Sequence, residues 1–193
     1  MKTKRIKKNK VNRFWLVFPI LSIIGIGFVI ILSSSFEKKW LFNWKEIRTE
    51  IKDSIQIAEL RGITNGIGGN GVSTQDEVSR RSWIMKNAKQ SELLKLTEYP
   101  NGTVKAIAYE GLLRKKDFKN KMELILKTNV DTIYPVYIQT GCLGSKKKLN
   151  EYLIQNVLMI DDQIIPYKPE LIFDFGFSDL EKQKILNEFR NKN

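Results

Sequence analysis

The feature that most constrains this chain is an uncharged apolar stretch near its start, residues 14–32. The nineteen residues FWLVFPILSIIGIGFVIIL include fourteen Leu, Ile, Phe and Val residues. As a helix with ~1.5 Å rise per residue, the stretch would extend roughly 28 Å, close to the ~30 Å hydrocarbon core of a bilayer. Each of these apolar side chains favours insertion by ~0.3 to 0.6 kcal/mol, which outweighs Pro19, Ser22 and two glycines. The stretch therefore predicts one transmembrane helix.

The charges are distributed unevenly around this stretch. Seven of the 33 basic residues precede it, whereas all 21 acidic residues follow it. Basic residues are retained on the cytoplasmic side, so we expect a cytoplasmic head at residues 1–13, an uncleaved signal-anchor and an extracytoplasmic C-terminal domain, periplasmic in a cell with two membranes. A cleaved signal peptide is the alternative, but its apolar region spans only about 7 to 15 residues. The anchor would make membrane lipid a partner.

The rest of the chain predicts one domain. Outside the head, 26 basic and 21 acidic residues leave a charge of +5 from the total of +12, which is ordinary for a solvated surface, so no nucleic-acid partner is expected. We expect a juxtamembrane linker at residues 33–42 and a helical domain at residues 43–193. Its first helix would span residues 43–60, begin with a capping box from Asn43 to Glu46 and end at Gly62. The predicted fold class is mainly α, with a short extended excursion after residue 127.

Three glycines, Gly66, Gly68 and Gly71, match the spacing G-x-G-x-x-G of dinucleotide-binding loops. That motif requires a strand before it and a helix directly after it in a parallel unit. Because the pattern before Gly66 is helical, we interpret the segment as a flexible connection between helices. The neighbouring pair Arg80 and Arg81 can bind an anion, although a solvated helix face is the favoured interpretation.

The residues that the chain lacks exclude several enzyme classes. It has no histidine and one cysteine, so no Ser-His-Asp triad, Cys-His pair or HExxH zinc site can form. We assign no catalytic, cofactor-binding or metal-binding residue, and catalysis is the less favoured interpretation. The alternative is an enzyme or small-ligand-binding domain with carboxylate and tyrosine groups. Its candidate residues are Asp161, Asp162, Asp174, Tyr134 and Cys142, although a buried structural thiol is favoured for the cysteine.

Residues 91–116 carry a family resemblance. After SELLKLTEY, Pro100 breaks one helix, Asn101 caps the next, and an apolar stripe from Val104 to Leu112 follows. The segment resembles a HEAT-type repeat, two antiparallel helices that pack closely through small residues. The resemblance implies an irregular helical domain with a surface for another protein or peptide. The sequence therefore predicts a membrane-anchored interaction or scaffolding protein of the cell envelope.

Overall fold

The computed structural model describes residues 13–35, 38–68, 71–161 and 173–192. The chain divides into two compact units at the boundary between Trp40 and Leu41. In the first unit, helix α1 spans Arg13–Ser35 and contains Pro19. A short 3-10 helix covers Lys38–Leu41.

The predicted transmembrane helix is contradicted. Among the residues that the structure describes, no helix is long and apolar enough to cross a membrane. This finding overturns the transmembrane part of the fold class, the signal-anchor and single-pass assignments and the predicted localisation.

The second unit is mainly helical, with a small three-stranded sheet. Its helices are α2 (Thr49–Arg61), α3 (Gln75–Asn87), α4 (Gln90–Leu96), α5 (Gly102–Arg114), α6 (Lys121–Thr128), α7 (Leu149–Tyr152), which continues as a π-helix over Leu153–Val157, and α8 (Asp179–Arg190). Its strands are β1 (Ile63–Thr64), β2 (Val136–Thr140) and β3 (Leu143–Lys147).

Helix α5 lies at the centre of this unit. Every residue from Gly102 to Leu113 is buried, and α5 packs against α2, α3, α4, α6, α7 and β2. A helix that is apolar or small around its whole circumference can only be stable inside a core, and Ala106 and Ala108 extend the apolar stripe in this way. The two charged residues in this run, Lys105 and Glu110, each have an oppositely charged partner. The core of the unit is therefore organised around α5.

The sheet joins segments that are far apart in the sequence. Strand β1 pairs in parallel with β2, with Ile63 opposite Ile138. Strands β2 and β3 form an antiparallel hairpin in which Val136 is opposite Lys147 and Thr140 is opposite Leu143. The predicted extended excursion thus includes a hairpin, which also pairs with the residues directly after α2.

The helix ends show which local signals hold. Helix α2 begins at Thr49 rather than at residue 43, because Asn43 accepts a hydrogen bond from the Lys45 amide instead of capping a helix. It ends at Gly62, as predicted, with a φ of +74° that favours glycine. Asn101 caps α5 through the Val104 amide, which was also predicted.

Candidate functional site

Helices α3 and α5 approach closely at Gly111. A Cβ atom at this position would lie 3.1 Å from both terminal methyl groups of Leu93 and 3.4 Å from Met85 Cγ. Larger side chains would therefore push α3 and α4 away from α5. The close contact brings the C-terminal halves of α3 and α5 side by side, and each half ends in basic residues.

A cleft of about 410 Å³ opens between these helix ends. We call it the basic cleft. Its lining includes Arg81, Lys86, Glu110, Arg114, Lys115 and Phe173. Four of these side chains are cationic and one is a carboxylate, so the lining carries a net charge of +3.

Glu110 forms the floor of the basic cleft and is only 3% exposed. Its Oε1 atom accepts hydrogen bonds from Arg114 Nε at 3.0 Å and from the second guanidinium nitrogen at 2.6 Å. Its Oε2 atom accepts a hydrogen bond from the Tyr152 hydroxyl at 3.1 Å. Because both oxygens are occupied by donors from the protein, Glu110 is a structural anchor for Arg114.

The pKa of Tyr152 reflects the charges around Glu110. Burial raises the pKa of Tyr152 well above its usual range, and the charge of Glu110 acts in the same direction. The cationic groups of Arg81 and Arg114 act in the opposite direction on this pKa. Both guanidinium groups are therefore close enough to act on the phenol, which stays protonated at neutral pH.

Arg81 is the unusual member of the cleft. Its Nε atom is buried, and no described group accepts a hydrogen bond from it. An unsatisfied buried donor costs about 1 to 3 kcal/mol, and an arginine cannot relieve this cost by losing its proton. The adjacent Arg80, in contrast, donates to Glu77 Oε2 at 3.2 Å. Arg81 therefore lines the cleft with a guanidinium group whose Nε donor has no acceptor among the described residues.

The remaining cations lie at the ends of the two helices. Lys115 follows α5, and its Nζ atom donates to the backbone oxygen of Lys86 at 3.2 Å. The Arg114 guanidinium lies 4.7 Å from the centre of the Phe173 ring, as expected for a cation–π contact. These contacts hold the basic groups around one hollow, an arrangement that suits a compact anion.

The predicted alternative site does not form among the described residues. Asp161 is buried and accepts hydrogen bonds from Arg190 at 3.0 Å and from Gln155 at 3.4 Å. Tyr134 lies under Lys105, whose Nζ atom is 5.4 Å from the ring centre. Each of these two groups has a structural contact of its own, and neither lines the basic cleft.

The other candidates are also separate. Asp174 accepts a hydrogen bond from the Gly176 amide at 2.8 Å. Cys142 is exposed in the turn between β2 and β3, so the favoured interpretation of a buried thiol is wrong. Asp162 lies outside the described residues.

The glycine segment also differs from its interpretation as a connection between helices. Strand β1 precedes Gly66 and pairs in parallel with β2. Helix α3 begins only at Gln75, four residues after Gly71, so the last glycine does not open the helix. Thr74, directly before α3, makes no side-chain cap, and its hydroxyl contacts the Thr64 hydroxyl.

Sequence reasoning identified the paired arginines but not which of them matters. A periodicity of 3.6 places Arg81 four residues before Met85, which is buried, and that spacing was the available signal. The i, i+4 spacing of Glu110 and Arg114 predicts a helical ion pair but no site, and Phe173 carried no signal of its own.

Comparisons with protein-family models, curated proteins and solved structures found no match. The resemblance of residues 91–116 to a HEAT-type repeat therefore remains a prediction.

Proposed function

We propose that this chain is a binding protein whose basic cleft takes a phosphate group carried by another molecule. The observation that carries the proposal is the buried Arg81 Nε donor, which has no acceptor among the described residues, on a side chain that lines a hollow with three further cations. A phosphate carries about −1.5 to −2 charges at neutral pH and has several strong acceptor oxygens. It complements the net charge of the lining better than a single carboxylate does.

Binding is favoured over catalysis because the two groups near the cleft that could act as base or nucleophile, Glu110 and Tyr152, hydrogen-bond to each other. Both oxygens of Glu110 accept protein hydrogen bonds, which makes this carboxylate a poor general base. The raised pKa of Tyr152 keeps its phenol protonated, so it is a poor nucleophile. The predicted partner, another protein or peptide, is compatible with a cleft that opens at the surface.

The test is a calorimetric titration of the full chain with inorganic phosphate. We expect saturable binding with a Kd below ~10 mM, because three or four charge-assisted hydrogen bonds contribute several kcal/mol. Arg81→Ala should weaken binding about tenfold or more, whereas Arg81→Lys, which keeps the charge without the Nε donor, should weaken it less.

Arg80→Ala is the matched control, because Arg80 is the adjacent arginine of the same helix and does not line the basic cleft. Its phosphate affinity should equal that of the parent. Thermal melting must show that both alanine variants remain folded. No heat of binding with phosphate, or equal losses from the two variants, would refute the proposal.

A further inference from the structure

A second hollow adjoins the basic cleft and shares one wall with it. This hollow, of about 300 Å³, is called the apolar hollow. Its apolar lining consists of Leu158, Met159, Ile160, Phe173, Phe175 and Phe177. Phe173 also lines the basic cleft, and its ring is 44% exposed. A ligand seated over Phe173 would therefore contact both surfaces.

The polar groups of the apolar hollow already have partners in the protein. Asp174 Oδ1 accepts from the Gly176 amide at 2.8 Å, and Lys182 Nζ donates to Asp179 at 3.3 Å. What the hollow offers to a ligand is consequently aromatic and aliphatic carbon. An apolar group, rather than a polar base edge or a second charge, matches this lining.

Arg114 connects the two surfaces. Its guanidinium lies 4.7 Å from the centre of the Phe173 ring and 5.6 Å from that of Phe175. The same guanidinium is held by Glu110 at the floor of the basic cleft. A phosphate bound by Arg114 would thus lie within one side-chain length of the apolar hollow.

The backbone near the apolar hollow has an unusual conformation. The π-helix ends at Val157, and Met159 has a φ of +52°, which is uncommon for a residue other than glycine. Such conformations cost about 1 to 3 kcal/mol and occur often at ligand sites. Here they direct three consecutive apolar residues, 158–160, to the hollow.

From these contacts we infer that the ligand is a phosphorylated peptide, with the phosphate in the basic cleft and a neighbouring apolar side chain in the apolar hollow. The inference rests on the proposed function. Buried Leu158, Phe175 and Phe177 form the inner part of the apolar hollow, and the exposed Phe173 lies at the surface, which suits a side chain that enters from a peptide bound across the surface. The cations surround one hollow rather than form a track, which does not suit a nucleic-acid backbone.

The experiment compares two acetylated and amidated peptides with the full chain. One carries phosphoserine between two phenylalanines and the other carries it between two alanines, with glycine at both ends. We expect the phenylalanine peptide to bind about tenfold more tightly, because an aromatic side chain is buried in the apolar hollow. AMP is titrated in parallel.

Two variants locate the source of this gain. Met159→Ala alters only the apolar hollow, and Phe173→Ala alters the shared wall. In both variants the affinity difference between the two peptides should fall to less than about threefold. The Met159→Ala variant should still bind the alanine peptide. Leu180→Ala, at a side chain that is 79% exposed on α8, is the control and should keep the full difference.

The outcomes separate this inference from the proposed function. Equal affinities for the two peptides, with normal phosphate binding, would overturn the inference alone. Tighter binding of AMP than of the phenylalanine peptide would replace the peptide by a nucleotide. Absence of phosphate binding would remove the proposed function, and the inference with it.

Discussion

Two buried glutamates, Glu92 in α4 and Glu110 in α5, are each paired with an arginine, yet their surroundings differ. Glu92 accepts hydrogen bonds from Arg48 Nε at 2.9 Å and from a terminal guanidinium nitrogen at 2.8 Å. It also accepts from the backbone amides of Arg48 and Lys89 at 3.0 and 2.7 Å. At Glu92 every nearby buried donor has its acceptor, and the pair joins the start of α2 to α4.

Around Glu110 the donors outnumber the acceptors. Arg114 and Tyr152 donate to its two oxygens, and the buried Nε atom of Arg81 has no acceptor in the part of the chain that the structure describes. The difference teaches that a buried ion pair is not by itself a sign of a functional site. The informative feature is the unmatched donor near the pair, since an ion pair with a purely structural role needs no additional donor.

The largest expected effect concerns the ion pair between Arg48 and Glu92. Glu92→Ala leaves Arg48 and two backbone amides without their acceptor, so the free energy of unfolding should fall by about 3 to 5 kcal/mol. Urea denaturation of the full chain measures this loss. Glu98→Ala is the control, because Glu98 is 67% exposed and pairs with Lys95 at 3.5 Å. An exposed pair contributes at most about 0.5 kcal/mol, and similar losses in both variants would contradict a structural role of Glu92.

The second prediction uses acid. Hydrogen bonds from Arg48 lower the pKa of Glu92 from 4.5 to about 2. A lowered pKa in the folded state stabilises the protein above the unfolded pKa of ~4.5, and this contribution is lost as the pH falls towards ~2. The full shift corresponds to about 3 kcal/mol, and because Arg48 is 45% exposed we expect about 2 kcal/mol.

Urea midpoints of the parent and of Glu92→Gln, measured between about pH 7 and pH 2.5, test this window. The difference between the two proteins should shrink as the pH falls. Hydrogen bonds with Ser178 lower the pKa of Glu181 too, but this residue titrates in both proteins and cancels in the difference. A difference that stays constant with pH would show that Glu92 does not titrate with folding.

The third prediction tests whether Glu110 differs from Glu92 in its effect on phosphate binding. Glu110→Gln removes the only carboxylate among the residues that line the basic cleft. The lost repulsion, about 1 kcal/mol at an effective dielectric between those of protein and water, should tighten phosphate binding threefold to tenfold. Calorimetry at low salt measures the change. Glu92→Gln should leave phosphate affinity unaltered, and an equal effect of the two substitutions would break the comparison.

The smallest effect is expected at Cys142, which belongs to neither of the two glutamate–arginine pairs. Cys142 is exposed in a hairpin turn, so Cys142→Ser should change the free energy of unfolding by less than about 0.5 kcal/mol. Phosphate affinity should remain that of the parent. A marked loss of either property would show that the thiol has a role which its position does not reveal.

The accuracy of the sequence predictions depended on how far apart the interacting residues are. Asn101 was identified as a helix cap, and its side chain accepts a hydrogen bond from the Val104 amide, three residues later. The pairing of β1 with β2 and the bond between Arg48 and Glu92, 44 residues apart, left no local pattern. The candidate site falls in this second group, because α3 and α5 contribute its charges separately.

By itself, the sequence determined features that a few adjacent residues control: the stop at Gly62, the cap at Asn101 and the apolar stripe of α5. The steric and hydrogen-bonding interactions that set these features act between residues only a few positions apart. Only the tertiary structure decided which of Arg80 and Arg81 lacks an acceptor. That outcome depends on how the tertiary structure surrounds α3, because Arg81 Nε is buried on a side chain that lines the basic cleft, whereas Arg80 is paired with Glu77.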